Sequence, residues 1–564
     1  MAATANPLAT DAAYQVLARG GSAVDAVVAA QMMLTLVEPQ SSGIGGGAFL
    51  LSYDAASGVV VAWDGRETAP LAADERLFLD PQGRPLPFFS AVVGGRAVGV
   101  PGAVAMLEVA HRSAGRLPWR DLLQPAIDAA AEGFSVSPRL HALISRDPFL
   151  RDDPVAAAYF HDTQGQPLKA GSTLRNPALA QSLQSLAEHG SRYLYAGDLA
   201  SSIVLKVRGH PRNPGLMTLT DLDGYRALRR EPICTGWLQW IVCGMPPPSS
   251  GGIAVAQMLG ILAALPFNGL TVVGTALDPN AAHLFAEAGR LAYADRDRHV
   301  ADTDFITLPP GLLDSSYLRA RAALVGERSM RTAAPGNPAA TGYPESGTSH
   351  VSVVDAAGNA AALTTSIENA FGSRQMVGGF LLNNQLTDFS FDAGSEEEVV
   401  NRLQPGKRPR SSMAPTLVFE RPALDHRAAT TGSRADPAAK APAGAPAASP
   451  RRGRLVMVTG SPGGSSIINY VAKTLVATLQ DGLEPQDAIS LPNLGSRNGP
   501  TEVERGMLTP GLRDSLKARG HQVREVDMTS GVQSIVWRCT QGRVSECAWH
   551  GAADPRREGT ARGD

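Results

Sequence analysis

The stretch Gly347-Thr348-Ser349-His350-Val351-Ser352-Val353-Val354-Asp355, followed by Ala356-Ala357-Gly358 and the run from Asn359 to Ser366, decides how this chain reads. A flexible glycine leads into three polar residues and then a strand rich in β-branched side chains. The short loop returns the chain along a second strand. With Gly358 in the left-handed position of a three-residue hairpin loop, Asp355 pairs with Asn359. Counting back along both strands places Thr348 opposite Ser366, so two hydroxyls face each other at one end of the hairpin. Hydroxyl pairs are ordinary across strands, and only the rest of the chain decides whether this one is chemical.

Outward from the hairpin, strand-like runs lie at 48–53, 59–63, 416–419 and 455–459. Helical patterns cover 122–131, 177–188, 252–265 and 281–294. Ser22 reads as the N-cap of an apolar, buried helix that stops near Glu38-Pro39. The mixture predicts an α/β or α+β protein. Residues 421–452 hold mainly Ala, Pro, Arg, Gly, Ser and Thr, and we read them as a disordered surface insertion. Without it, 416–419 and 455–459 make a natural hairpin. No internal repeat is found.

The chain has 564 residues, 44% hydrophobic and 18% charged, with 51 basic against 53 acidic side chains. That length buries a sizeable core. The near-neutral balance gives no overall field for nucleic acid or an anionic membrane, which points to a small-molecule or peptide substrate. The apolar stretch 26–37 is too short to span a bilayer and contains Gln31, so no membrane span is expected. The first ten residues lack the basic and apolar regions of a secretory signal. As written the chain reads as cytoplasmic, and as periplasmic or secreted if the native start lies upstream. Cys234, Cys243, Cys539 and Cys547 form no C-x-x-C pair, and their spacing leaves their disulfide state open.

Gly43-Ile44-Gly45-Gly46-Gly47 superficially matches a dinucleotide fingerprint, but it leads into a strand rather than a helix. No G-x-S-x-G elbow, P-loop or H-E-x-x-H motif occurs. The chemistry therefore needs a different nucleophile.

A family resemblance supplies one. Thr4-Ala5-Asn6-Pro7, Gly20-Gly21-Ser22-Ala23-Val24-Asp25, Glu38-Pro39-Gln40-Ser41-Ser42-Gly43 and Arg66-Glu67-Thr68 occur in order, followed by Pro246-Pro247-Pro248-Ser249-Ser250-Gly251-Gly252 and Tyr293-Ala294-Asp295-Arg296. After Thr348 come Asn383-Asn384-Gln385-Leu386-Thr387-Asp388, Arg408-Pro409-Arg410-Ser411-Ser412-Met413, Gly460-Ser461-Pro462-Gly463-Gly464 and Ala553-Asp554-Pro555-Arg556-Arg557. Over nearly its whole length the sequence resembles the gamma-glutamyltransferases of the N-terminal nucleophile hydrolase superfamily.

The resemblance implies an α+β fold built as a four-layer αββα sandwich, made as a precursor that cuts itself between Gly347 and Thr348. Residues 1–347 would form a mostly helical large subunit and 348–564 a small one, associated as a heterodimer. Thr348 would be the nucleophile, and its freed α-amine, with an ordinary pKa of about 7.7–8.0, the base. By the same resemblance Ser366 supports Thr348, while Gly463 and Gly464 form the oxyanion hole. Arg66, Ser411 and Ser412 take the substrate's α-carboxylate, Gln385 and Asp388 its ammonium. No metal or organic cofactor is implied. His350 is read as structural, because the terminal amine already serves as base.

Two positions depart from the family pattern. Ser366 stands where Thr is usual, keeping the hydroxyl. Glu368 stands where Asn is usual, adding an acid to the substrate pocket. No tyrosine lies between Asp388 and Ser411, which implies a pocket without an aromatic lid. The expected activity is cleavage of gamma-glutamyl amides such as glutathione, with transfer to water or an amine. Alternatives are a cephalosporin or glutaryl-amide acylase using the same machinery, and an uncleaved amino-acid- or peptide-binding protein.

Overall fold

The computed structural model describes residues 1–272, 274–335, 347–391, 399–422, 452–539 and 547–563. Of the 421–452 insertion, 423–451 lies outside the described residues, as does 392–398 of the segment expected to lack a lid. The protein is a mixed helix-and-sheet molecule built on two large antiparallel sheets.

The first sheet has seven strands: β1 (Ala2–Thr4), β2 (Gly47–Asp54), β3 (Val59–Gly65), β4 (Leu228–Arg230), β7 (Gly347–Val354), β8 (Ala360–Glu368) and β13 (Thr560–Arg562), in the order β13-β1-β7-β8-β2-β3-β4. The second has six: β5 (Ile233–Trp237), β6 (Trp240–Gly244), β9 (Thr416–Glu420), β10 (Leu455–Gly460), β11 (Gln533–Cys539) and β12 (Cys547–Ala553), in the order β12-β11-β10-β9-β6-β5. The deciding hairpin is the pair β7-β8 at the centre of the first sheet. Its register is the one counted from sequence: Thr348 faces Ser366, Asp355 N donates to Asn359 O at 3.0 Å, and Gly358 has φ +81°. The hairpin expected across the insertion also forms, with Thr416 opposite Thr459. Gly453 N donates to Glu420 O at 2.8 Å, so the insertion leaves and rejoins the fold at one point.

Side-chain alternation sends the hairpin's two faces into different cores. Val351, Val353, Ala361 and Leu363 pack with α1 (Pro7–Ala18), α2 (Ala23–Val37), α3 (Ala103–Ala114), α4 (Trp119–Glu132), α5 (Pro138–Arg146) and α6 (Pro177–His189). Ala360, Ala362 and Phe49 join Leu417 and Met457 of the second sheet, and with them α7 (Gly251–Ala263), α8 (Pro279–His299) and α9 (Ile467–Leu475). The helix read from Ser22 is α2. Ser22 and Asp25 form a reciprocal capping box, every residue of the helix is buried, and Glu38 ends it. The four cysteines pair as Cys234–Cys243 and Cys539–Cys547, each joining directly opposed residues of an edge hairpin of the second sheet.

Among the described residues, no helix is long and apolar enough to cross a membrane.

Candidate active site

Thr348 sits at the start of β7, 3% exposed. Its Oγ1 donates to Ser366 Oγ at 3.4 Å, and the Ser366 hydroxyl in turn donates to the carbonyl of Gly347. The hydroxyl chain thus ends on the carbonyl of the bond between Gly347 and Thr348. Ser366 is held there by a bulge: after it, β8 takes in an extra residue, and Glu368 N donates back to Ser366 Oγ at 2.9 Å. Glu368 closes the bulge at φ +75°, a region that strains a residue with a side chain. Gly347 is required by close approach, since a Cβ there would lie 2.4 Å from Glu368 O.

Arg66, at the end of β3, is 1% exposed and carries the Pro409-Arg410 segment, with Nε on Pro409 O at 3.1 Å and Nη2 on Arg410 O at 3.0 Å. It also pairs directly with Asp388. Gln385 Nε2 donates to the same Asp388 oxygen at 2.7 Å. Arg66, Gln385 and Asp388 therefore form one cluster, with a buried cation and a buried anion side by side. The Pro409-Arg410 segment leads into the serine pair. Ser411 Oγ accepts from Met413 N at 3.1 Å, and Ser412 Oγ from Arg296 Nη2 at 2.7 Å. Each hydroxyl keeps its own hydrogen to donate.

The acid Glu368 is 3% exposed and accepts a hydrogen bond from Asn384 Nδ2. Burial, reinforced by the Asp388 carboxylate, pushes its carboxyl well above the ordinary range. Glu67 is buried against Gly47, where a Cβ would lie 2.2 Å from its Oε2. Burial pushes its carboxyl up to about 8, against the opposing pull of Arg66. Glu67 lies in the Arg66-Glu67-Thr68 motif, and no role for it was legible in the sequence.

Gly463 and Gly464 follow β10 at φ +132° and +59°, conformations open to glycine. A Cβ on Gly463 would lie 2.4 Å from Tyr470 Cε2. The next residue anchors the turn: Ser465 O accepts from the Tyr293 hydroxyl, and Ser465 Oγ from Arg497 Nη1 at 2.6 Å. Neither support was identified from sequence, although Tyr293 lies in a quoted motif. A cleft of about 640 Å³ opens beside Gly463, lined by Tyr470, Arg497, Glu502, Arg524 and Thr529 among others.

His350 is fully buried, bonded through Nδ1 to Thr364 Oγ1 at 2.8 Å and through Nε2 to Ser352 Oγ at 3.1 Å. Burial pushes it down to about 3, so it is neutral and structural, as read from the sequence. Away from the hairpin, His283, Glu287 and His521 form a buried trio. The two rings share a 2.7 Å bond, and their other nitrogens meet Gly326 O at 2.8 Å and Thr501 Oγ1 at 2.7 Å. Arg290 Nε donates to Glu287 at 3.1 Å. Every ring nitrogen is engaged, which makes the trio a structural relay rather than a vacant set of ligands.

The chain is similar to known proteins in sequence and in fold. The family model described as "Gamma-glutamyltranspeptidase" matches residues 9–440 and 445–563. The chain is 33% identical to a glutathione hydrolase proenzyme of Escherichia coli (strain K12), covering 99% of this chain and 90% of that one. It is 32% identical to the glutathione hydrolase proenzyme of Bacillus subtilis (strain 168), over 100% and 91%. Among solved structures, the cephalosporin acylase from Bacillus halodurans superposes with a TM-score of 0.82 at 25% identity, over 99% of this chain and 94% of that one. With a family match running through both sheets and across the Thr348 hairpin, the chain belongs to the gamma-glutamyltranspeptidase family.

Proposed function

We propose that this chain is a precursor that cuts itself between Gly347 and Thr348, and that Thr348 then cleaves gamma-glutamyl amides, glutathione among them. The observation that carries the reading is the hydroxyl chain from Thr348 through Ser366 to the Gly347 carbonyl. It aligns the attacking oxygen and polarises the carbonyl to be attacked. Attack gives an ester, which water resolves, leaving an α-amine on Thr348. The products are 1–347 and 348–564, retained as one heterodimer because β7 and β8 lie between strands of the other part. The helix–sheet–sheet–helix packing of the two cores supports a four-layer αββα sandwich.

In the mature enzyme the α-amine takes the proton from Thr348 Oγ1 as it attacks the substrate's amide carbonyl. Backbone N–H groups at Gly463 and Gly464 receive the oxyanion, each donor worth about 2.7–4 kcal/mol in the transition state. The leaving amine departs with the proton, and the gamma-glutamyl ester passes to water or to an acceptor amine. Arg66 with the serine pair reads the α-carboxylate, and Asp388 with Gln385 reads the ammonium. The adjacent buried charges of Arg66 and Asp388 complement an amino-acid head. The cleft beside Gly463 offers room for the leaving amine or the acceptor.

A second reading, a glutaryl-type acylase, draws on Glu368 and on the likeness to the cephalosporin acylase structure. The two readings differ in whether the α-ammonium is recognised. Initial rates on a gamma-glutamyl anilide and the matching glutaryl anilide separate them, with Thr348→Ala as the control. We expect a preference of about tenfold to a hundredfold for gamma-glutamyl, the worth of a hydrogen-bonded charge, and no turnover by Thr348→Ala. Equal or faster glutaryl turnover would establish the acylase instead. An intact mass showing an uncut chain would leave neither enzyme standing and favour a binding protein.

A further inference from the structure

Arg557 lies in the C-terminal segment just before β13. It is 7% exposed. Its Nη1 donates to the carbonyl of Thr348 at 2.9 Å and its Nη2 to the carbonyl of Thr529 at 3.1 Å. Among the described residues no carboxylate lies within 4.0 Å of its guanidinium, and its Nε has no hydrogen-bond partner. A buried arginine ordinarily sits on a carboxylate. This one is held by two backbone oxygens, one of them on the proposed nucleophile itself.

We propose that Arg557 is a positioning residue for Thr348, fixing its carbonyl and holding the α-amine created by cleavage in the neutral, proton-accepting form. The inference rests on the reading of Thr348 as a self-generated N-terminal nucleophile. The amine and the carbonyl belong to one residue, so the guanidinium stands roughly 4–6 Å from the amine. A positive charge at that range, away from bulk water, favours the neutral amine and lowers its pKa by about one to two units. An ordinary α-amine near 7.7–8.0 is mostly protonated at pH 7 and cannot take the threonine proton. With the guanidinium beside it, most of the amine is free. Arg557 itself exchanges no proton. Burial pushes it down to about 9, which leaves it charged at neutral pH.

Arg557 shares this corner with a second cation, Arg139, and with the acids Glu38 and Asp554. Glu38, at the end of α2, is fully buried and pushed up by burial; it accepts from Ser41 Oγ at 3.0 Å and faces Arg139 of α5 at 3.9 Å. Asp554 is bonded by Ser530 Oγ at 2.6 Å and by Arg556 Nη1 at 3.2 Å. Glu558 accepts from Arg139 N at 2.9 Å. Tyr470 of α9 is held neutral by burial. From β8, Glu368 is pushed toward its neutral form, while Arg66 and Asp388 pair with each other.

The pH profile of kcat/KM on a gamma-glutamyl anilide tests the proposal, using the matured enzyme and Arg557→Met. The acid limb is expected to move up by about one unit or more in the variant, with most of the rate recovered above pH 9. A rate lowered equally at all pH, with the limb unmoved, would mean that Arg557 only supports the fold and would overturn the proposal. Should Arg557→Met fail to mature, the wild-type amine can be titrated directly, from the pH dependence of its acylation by acetic anhydride followed on the 348–564 fragment by mass. A pKa of about 6–7 is expected, and one in the ordinary 7.7–8.0 range would refute the inference. A wild-type chain that never cuts itself removes the underlying reading, whereas a cut, active enzyme with an ordinary amine removes only this one.

Discussion

Replacing Ser366 with alanine tests the hydroxyl chain at its middle link. The Ser366 side chain donates to the Gly347 carbonyl and accepts from Glu368 N at 2.9 Å and Thr348 Oγ1 at 3.4 Å. During self-cleavage, negative charge grows on the Gly347 oxygen, so the bond to Ser366 strengthens as the transition state forms. Loss of one such donor costs about 2.7–4 kcal/mol, or roughly a hundredfold to a thousandfold in rate. After cleavage the Gly347 carbonyl is no longer part of the reaction, and Ser366 contributes only its long bond to Thr348 Oγ1. An ordinary hydrogen bond contributes about 0.5–1.5 kcal/mol, so turnover by matured Ser366→Ala should fall by only about tenfold. The assay follows the 59.0 kDa precursor and its two fragments by intact mass after synthesis, then measures kcat on whatever matures. Ser366→Thr, which keeps the hydroxyl, should mature within about tenfold of wild type. Maturation of Ser366→Ala at the wild-type rate would refute the argument that this hydroxyl polarises the carbonyl.

Two further predictions concern the buried acid Glu67 and the Gly463 turn. The folded-state pKa of Glu67, about 8, lies above its ordinary 4.5, so the folded protein holds an extra proton between those values and loses stability as pH rises through them. At one unit per 1.36 kcal/mol the loss amounts to at most about 5 kcal/mol; Glu67→Gln should abolish it, and a melting temperature that falls equally from pH 5 to pH 8 in both proteins would contradict this. Gly463→Ala places a Cβ 2.4 Å from Tyr470 Cε2 at φ +132°, so the turn must shift and kcat should drop about a hundredfold or more with KM little changed; an unaltered kcat would remove Gly463 from the oxyanion hole.

Much of this protein was legible locally. The β7-β8 register followed from the position of Gly358 and a period of two, because a hairpin with a short loop leaves no other alignment. Helix α2 was readable because the capping box Ser22/Asp25 and the stop at Glu38-Pro39 are set by backbone groups within a few residues. The β9-β10 hairpin survived a long insertion in the reading because its strand pattern stands on either side of a stretch that has none. The roles proposed for Arg66, Asp388, Gly463 and the serine pair came from resemblance, since no spacing rule links an arginine to an acid 322 residues away.

What tertiary structure alone decided is which distant groups meet. The direct Arg66–Asp388 pairing, Arg296 on Ser412, Tyr293 and Arg497 on Ser465, and Arg557 on the Thr348 carbonyl all depend on the order of strands in the two sheets. The cysteine partners are set more locally, since each pair occupies opposed positions within one edge hairpin. Sequence periodicity says which face of a strand is buried, but each sheet of this protein is covered on both faces. Which strand lies beside which is then chosen by burying all those faces together, and that choice belongs to the whole chain rather than to any segment of it.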